Sequence, residues 1–338
     1  MQPAKDILDF IIIGAQKAGT TSLFEYLRLH PEISLPASKE APYFSHDSMY
    51  SRGWPAYMRK IAFADPQRKW GTVTTRYMAG GVTGGAVNNN NYDERTVPLR
   101  IRERLPKVRL IAILRDPVER AVSHHRMVLM DGREQRSFDD AIGDLLRPEM
   151  LERARRHPRE TTGYVVWGEY GRILAGYFDV FPREQILVVF TDELERAPAQ
   201  LLRRIQEFIG VVADFKPPNL AVRYRGGAGQ RRFSRMGPYA WLSPQALQRV
   251  LRQNSVVRAV WDLIPEAGQR RLRRPYERFA YRVDLWNRRS GASADEGNSA
   301  QPSPATLLRL REHYEQDTGH LAALLEVTPS WQTAGEPR

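Results

Sequence analysis

Residues 8–29 read LDFIIIGAQKAGTTSLFEYLRL. A seven-residue run that is apolar except for Asp9 ends at Gly14, a second glycine follows at Gly19, and the apolar residues then recur at helical spacing. The pattern predicts a buried strand, a tight loop and an amphipathic helix. Backbone N–H groups of such a loop converge on an anion, and the helix start adds about half a positive charge. The nucleoside-triphosphatase loop has the form G-x-x-x-x-G-K-[ST]. Laid over Gly14 it requires lysine where this chain has Thr20, and the lysine stands inside the loop at Lys17. A cation placed there suits a short phosphate carrying one reactive group better than a magnesium-bound triphosphate.

Working outward, VRLIAIL (108–114) precedes PVERAVSHHRMVLM, and QILVVF (185–190) precedes AQLLRRIQEFIG. Strands alternating with helices predict an α/β fold: a P-loop-like, three-layer arrangement with a central, mostly parallel sheet. GTVTT (71–75) reads as a weaker strand, and GGVTGGAVNNNN (80–91) as a flexible loop. The alternation stops after Val211. A polar stretch then leads into a region whose apolar positions, Leu247, Val250, Leu251, Val257, Val260, Trp261 and Ile264, have amphipathic helical spacing. SGASADEGNSAQPSP (290–304) reads as a flexible bridge. Ser303 and Pro304 are placed to cap and start a last helix, with Leu307, Leu310, Tyr314, Leu321 and Leu324 facing inward. Three parts are expected: a core over 1–222, an arginine-rich helical insertion with its bridge over 223–300, and a C-terminal helix over 301–338 that packs back on the core.

Composition narrows the function classes. The chain has 338 residues, 42% of them hydrophobic, enough to bury a substantial core. It contains no cysteine, which excludes disulfides, thiolate metal sites and thiol nucleophiles. No cluster of histidines or acids has metal-ligand spacing. The apolar run at 8–14 is too short to span a membrane, and the N-terminus lacks a signal-peptide cleavage pattern, so a cytoplasmic protein is expected. Between Arg223 and Arg289 there are sixteen arginines against four acids, an excess equal to the whole chain's net charge of +12. That segment is either a solvated flap or a surface for an anionic acceptor, a membrane or a nucleic acid.

A second anion site is readable at the end of VRLIAIL. Arg115 follows the strand, Asp116 is placed to cap the next helix, and Pro117 occupies its first position. Open parallel sheets bind ligands at the carboxyl ends of their strands. Ser123, two helical turns beyond Asp116, lies on the same face. Arginine offers a rigid fork of donors and serine a directed hydroxyl. Two anion grips on neighbouring strand ends point to a nucleotide with two separate phosphates.

Together GAQKAGTTSLFEYLRLHPEI (14–33), SKEAPYFS (38–45), RLIAILRDPVERAVSHH (109–125), GEYGRILAGYFDVFP (168–182) and ILVVFTDEL (186–194) resemble a known family. It is that of the sulfotransferases using 3′-phosphoadenosine 5′-phosphosulfate, in the heparan-sulfate-type and bacterial branch. The resemblance covers most of residues 8–211. It implies that Lys17, Gly19, Thr20 and Thr21 hold the 5′-phosphosulfate and that Arg115 and Ser123 hold the 3′-phosphate. It further implies that Gly14, Ala18, Ser22 and Tyr170 complete the donor site, with Arg231 and Arg232 of RYRGGAGQRR closing over the adenosine.

By the same resemblance, Lys17 stabilises the departing phosphate and Glu40, in a K-E-x-x-[FY]-F-like context, is the base that deprotonates an acceptor hydroxyl. The product is adenosine 3′,5′-bisphosphate, and no metal is required. Lys39, Tyr43, Phe44, His46, Arg76 and Tyr77 are the candidates for the acceptor side, His46 doubling as a reserve base. His124 and His125 read as structural. The chain departs from the glycan-modifying pattern at Pro42, where those enzymes often carry histidine, and at Thr72 and Val73, where they carry a Glu-Lys pair. Both departures concern the acceptor and leave the donor motifs intact. The expected acceptor is a hydroxyl compound, anionic or lipid-linked, with peripheral membrane contact through 223–289 and no nucleic-acid partner. Two alternatives remain open on the sequence: a P-loop kinase or triphosphatase with Asp116 as its magnesium ligand, and a non-enzymatic arginine-rich binder of nucleic acid or membrane.

Overall fold

In a computed structural model of the chain, the structure describes residues 7–37, 39, 40, 42–61, 65–79, 93–222, 224 and 301–333. These residues, from both sides of 225–298, form one compact unit. The expected loop at 80–91, the arginine-rich insertion, and Arg231 and Arg232 lie outside the described residues. At the centre is a five-stranded, all-parallel sheet in the order β2-β3-β1-β4-β5. Its strands are β1 (Phe10–Gly14), β2 (Ile33–Ser34), β3 (Lys69–Val73), β4 (Arg109–Leu114) and β5 (Ile186–Phe190). The flanking helices used below are α1 (Thr20–Leu27), α2 (Trp54–Ile61), α3 (Thr96–Arg104), α4 (Pro117–Met130), α5 (Phe138–Leu145), α6 (Pro148–Arg156), α7 (Tyr170–Phe178), α8 (Pro198–Ile209) and α9 (Pro304–Leu325).

The apolar runs form the strands because the middle of a parallel sheet is covered on both faces. Every residue of β1 is buried. The chain leaves β1 toward β3 on one side and returns past it to β4 on the other, so the switch point of the topology lies between β1 and β4. Two details differ from the sequence reading. The third strand spans 69–73, two residues earlier than GTVTT, and Thr75–Met78 turns as a 3₁₀ helix. The two-residue edge strand β2, paired with Lys69 and Trp70, is too short to leave a periodic signal.

The C-terminal helix starts as its sequence indicates. Ser303 Oγ accepts from Thr306 N–H at 3.2 Å, and Pro304 takes the first position. Its buried face is Thr306, Leu310, Tyr314, Thr318, Leu321 and Leu325. Leu310 and Tyr314 share a core with Val118, Ala121, Phe138, Ile142 and Tyr164 from α4, α5 and the short helix Gly163–Val166 before α7. Leu307 is only partly buried there, and Leu325 rather than Leu324 is the buried residue of the last turn. Asp317 of α9 accepts from the first amides of α7, Gly171 N–H at 2.9 Å and Arg172 N–H at 2.8 Å, so one helix caps another. The close approach requires glycine: a Cβ on Gly171 would lie 2.4 Å from the Asp317 carbonyl oxygen. Gly171→Ala is therefore expected to lower stability by about 1–3 kcal/mol, the usual cost of overpacking. Urea unfolding should show a lower midpoint at unchanged slope; a midpoint equal to the parent's would refute this account of the α7–α9 contact.

Candidate functional site

The loop 15–19 joins β1 to α1 as the glycine spacing predicts. At Gly14 a side chain has no room, since a Cβ would come within 2.7 Å of Met78. Gly19 has φ +100° in the left-handed region, and a Cβ there would also meet Leu194 at 3.1 Å. Lys17, at φ 71°, is a non-glycine residue in that region, in the middle of the turn. The first intrahelical bond of α1 runs from Leu23 N–H to Gly19 O at 3.2 Å. The amides before it have no acceptor within the helix, no side chain caps them, and no acid stands in the first turn. That is an uncompensated positive helix end, with Thr20 and Ser22 buried beside it.

The second anion site is built differently. Asp116 Oδ1 accepts from Val118 N–H at 2.7 Å and Glu119 N–H at 3.1 Å, so the start of α4 is closed and only side chains are left to bind an anion. Arg115 stands at the end of β4, its Nη2 2.8 Å from Glu119 Oε2. Exposed pairs of this kind contribute about 1 kcal/mol or less, so a phosphate competes easily for the guanidinium. Ser123 is partly buried on α4. Tyr170, the first residue of α7, is buried with the charges of Arg120, Asp116 and Arg115 acting on it, and burial pushes its phenol up to about 12. It supports the second site from within the core.

One hydroxyl joins the two sites. Thr191, just after β5, shares its proton between the carbonyls of Ala18, at 2.7 Å, and Leu114, at 3.0 Å. The loop 15–19 and the end of β4 are thus fixed side by side.

On the other flank of the loop lies Glu40. Its carboxylate accepts Thr75 N–H at 3.1 Å and the Thr75 hydroxyl at 3.2 Å, with Lys39 Nζ 3.2 Å from Oε1. Arg76, the next residue, is bonded to Glu160. Glu160 also accepts from Gln16 of the loop 15–19 at 3.3 Å and meets His124 Nε2 at 3.0 Å. A carboxylate held by a backbone amide is therefore followed in the chain by a cation that Glu160 links to the loop 15–19.

The model of the sulfotransferase domain matches residues 8–223. The chain belongs to the sulfotransferase family. Heparan sulfate glucosamine 3-O-sulfotransferase 5 of Homo sapiens is 28% identical over 216 residues, 62% of this chain and 54% of its own. The bifunctional heparan sulfate N-deacetylase/N-sulfotransferase 3 of Homo sapiens is 29% identical over 215 residues, 61% of this chain and 22% of its own. This chain thus spans about half the length of the first relative and less than a quarter of the second. In fold it is similar to a crystal structure of a sulfotransferase from Alicyclobacillus acidocaldarius, with a TM-score of 0.60 at 23% identity, covering 96% of this chain and 97% of that one.

Within this sulfotransferase fold the expected acceptor residues separate into two groups. Lys39, Glu40, His46 and Arg76 retain some exposure, whereas Tyr43, Phe44 and Tyr77 are buried. The three rings pack with Tyr50, Trp54 and Tyr57 in one aromatic cluster, and Tyr77 Oη accepts from Tyr43 N–H at 3.0 Å. These three, expected on the acceptor side, are buried in this packing, because apolar rings gain more from it than from water. Burial and then the Arg76 charge hold the His46 imidazole below its usual range.

His125 has the structural place expected of it, with Nε2 3.1 Å from Arg136 O and its ring against Phe138 and Tyr164. His124 is more deeply involved. It stacks on Trp167 at 5.0 Å, and Nδ1 faces Arg120 Nη1 at 3.3 Å. Burial, with the charges of Arg120 and Lys17, pushes the imidazole down to about 4 against the pull of Glu160. Burial raises the Glu160 carboxyl, but the His124 hydrogen bond and the Arg76 charge outweigh it and hold it at about 2. Glu160 and Thr191 were not singled out from the sequence: Glu160 is one acid in the polar stretch RHPRETTG, and Thr191 one hydroxyl after a strand.

The depressed His124 has a pH consequence. An unfolded histidine takes up its proton near 6.5, whereas the folded one does so only near 4. Between those values the unfolded chain binds more protons, so stability falls as the pH drops, by at most about 1.4 kcal/mol per unit from this group. Denaturant midpoints measured from pH 7 to 4 should show that decline. His124→Asn should show a slope shallower by about one proton; an unchanged slope would mean His124 does not titrate this way.

Proposed function

We propose that this chain transfers the sulfuryl group of 3′-phosphoadenosine 5′-phosphosulfate to an acceptor hydroxyl. The observation that carries the reading is the pairing of two anion grips by Thr191: the uncapped start of α1 with Lys17, and Arg115 at the end of the adjacent strand. Their chemistry fits the two ends of the donor. Six residues of the first grip, Gly14, Lys17, Gly19, Thr20, Thr21 and Ser22, surround the phosphosulfate, and Arg115 and Ser123 take the 3′-phosphate. The names of the relatives, which are sulfotransferases, support the same reaction class.

In-line transfer spreads charge over the equatorial oxygens and the departing phosphate. In this reading Lys17 and the amides at the start of α1 stabilise that charge as it develops. Glu40 takes the acceptor proton. The two donors from Thr75 fix the direction of its carboxylate, and Lys39 Nζ stands 3.2 Å from it. The alternative kinase reading lacks support in the loop, where Thr20 occupies the place of the phosphate-binding lysine. The acceptor is proposed to be anionic or lipid-linked, met by the basic residues 223–289; relatives that act on heparan sulfate make an anionic glycan the first class to try.

Adenosine 3′,5′-bisphosphate should bind in calorimetry without magnesium. Lys17→Ala should weaken it at least about tenfold, a change of 1.4 kcal/mol, and abolish sulfuryl transfer. Glu40→Gln should leave that affinity within about threefold while removing turnover by about a hundredfold or more, as expected for loss of a general base. Turnover is followed with radiolabelled donor and extracts of the source cell, or with heparan sulfate. Absence of bisphosphate binding would sink the donor assignment, and a fully active Glu40→Gln would sink the base.

A further inference from the structure

Glu160 joins three parts of the donor pocket that are remote in sequence. Its Oε1 takes hydrogen bonds from Gln16, the residue before Lys17, and from Arg76, the residue after the one that holds Glu40. Its Oε2 meets His124 Nε2 on α4. The directions of these bonds are forced. Arg120 is fully buried and has only donors, so His124 Nδ1 must accept from it and the imidazole proton must sit on Nε2. That proton is then donated to Glu160. The remaining oxygen can only accept, which turns the N–H groups of Gln16 and Arg76 toward it.

The bonded path links Arg120 in the core to Arg76, with donors pointing from both ends toward the Glu160 carboxylate. Arg120 is itself anchored by the carbonyls of Gly163 and Tyr164. Trp167 backs both ends of the relay, with His124 stacked on it and the Arg76 guanidinium 5.9 Å from its ring. Arg76 is 29% exposed, and among the described residues Nη2 is the guanidinium nitrogen that Glu160 engages. Among the described residues no acceptor engages the other guanidinium nitrogens, which leaves them for a ligand.

We infer that Glu160 is a positioning residue: it holds Arg76 where the guanidinium contacts the oxygens of the sulfuryl group being transferred. The inference rests on the proposed sulfotransferase reading and deepens it. Lys17 lies on the side of the departing phosphate, and the equatorial oxygens of the sulfuryl group need donors of their own as charge spreads over them. A forked cation meets that need better than a point charge, provided something fixes its plane. Glu160 does so.

The test compares the sulfated donor, 3′-phosphoadenosine 5′-phosphosulfate, with adenosine 3′,5′-bisphosphate, which lacks the sulfuryl group. Calorimetry is run on the parent chain, Glu160→Gln, Arg76→Gln, Arg76→Lys and the Glu160→Gln/Arg76→Gln double variant, with thermal melts as a check on folding. Affinity for the sulfated donor should fall about tenfold or more in Glu160→Gln and Arg76→Gln, while that for the bisphosphate stays within about threefold. Arg76→Lys should recover part of the loss. The double variant should be no weaker than Arg76→Gln, because Glu160 acts through Arg76. Simple electrostatics predicts the opposite for Glu160→Gln, since removing a negative charge near the pocket tightens the binding of any anion. Tighter binding of both nucleotides, equal losses for both, or no change in either variant would each overturn the inference. Arg76→Gln keeps the test decisive if Glu160→Gln melts early. A parent chain that binds neither nucleotide overturns the sulfotransferase reading and this inference with it, and is recognised by that shared failure.

Discussion

The amides at the start of α1 have no acceptor in the helix and no side-chain cap, and the rest of the site is arranged around that deficit. Three other helix starts carry side-chain caps, Asp116 on α4, Ser137 on α5 and Ser303 on α9. At α1 the preceding residue is Gly19, which supplies a left-handed turn and no hydroxyl. Orphan amides are tolerated where water or a ligand reaches them. The flanking structure keeps this end accessible and rigid at once. Met78 closes on Gly14 from one side, Thr191 ties Ala18 to the neighbouring strand, and Tyr224 N–H bonds Ser22 Oγ at 3.2 Å. A flexible loop would have to be ordered by its ligand, whereas this one is held before the ligand arrives.

What was legible in the sequence follows the range of the interactions involved. The strand β1, the loop and α1 are consecutive, so their apolar period and glycine spacing sit in one window. Arg115, Asp116 and Pro117 are equally local, and the structure places them as the start of α4 requires. Glu160 is a different case. Its partners are Gln16, Arg76 and His124, separated from it by 144, 84 and 36 residues. No periodicity links such positions, and a lone acid in a polar loop carries no pattern. Thr191 is silent for the same reason, since its partner Ala18 lies 173 residues away.

The aromatic residues after Glu40 show how a correct local motif can mislead about exposure. Tyr43, Phe44 and Tyr77 lie beside functional candidates in the sequence, and proximity favours reading them as ligand contacts. A single sequence does not show which rings find other rings. Trp54 and Tyr57 of α2 fold over Tyr43 with ring centroids 5.4 and 4.8 Å away, and Tyr77 reaches back to two backbone amides. Once that cluster has formed, burying three rings stabilises more than displaying them.

Glu134, Glu160 and Glu169 are held down at about 2, and the surroundings of the last two separate structure from function. Glu169 accepts from Arg155 at 2.8 Å, Arg172 at 2.6 Å and His313 at 3.0 Å, partners on α6, α7 and α9. His313 is on the C-terminal helix and the two arginines are on the helices before it, and the Glu169 side chain is 3% exposed. Every lone pair there serves the fold, and removing one partner would leave a buried charge uncompensated. Glu160 is 11% exposed, and its partners belong to the donor loop, the turn after β3 and α4. A depressed carboxyl is therefore no sign of function by itself. What sets Glu160 apart is where its partners sit: Gln16 is in the glycine-bracketed loop and Arg76 follows the residue that holds Glu40.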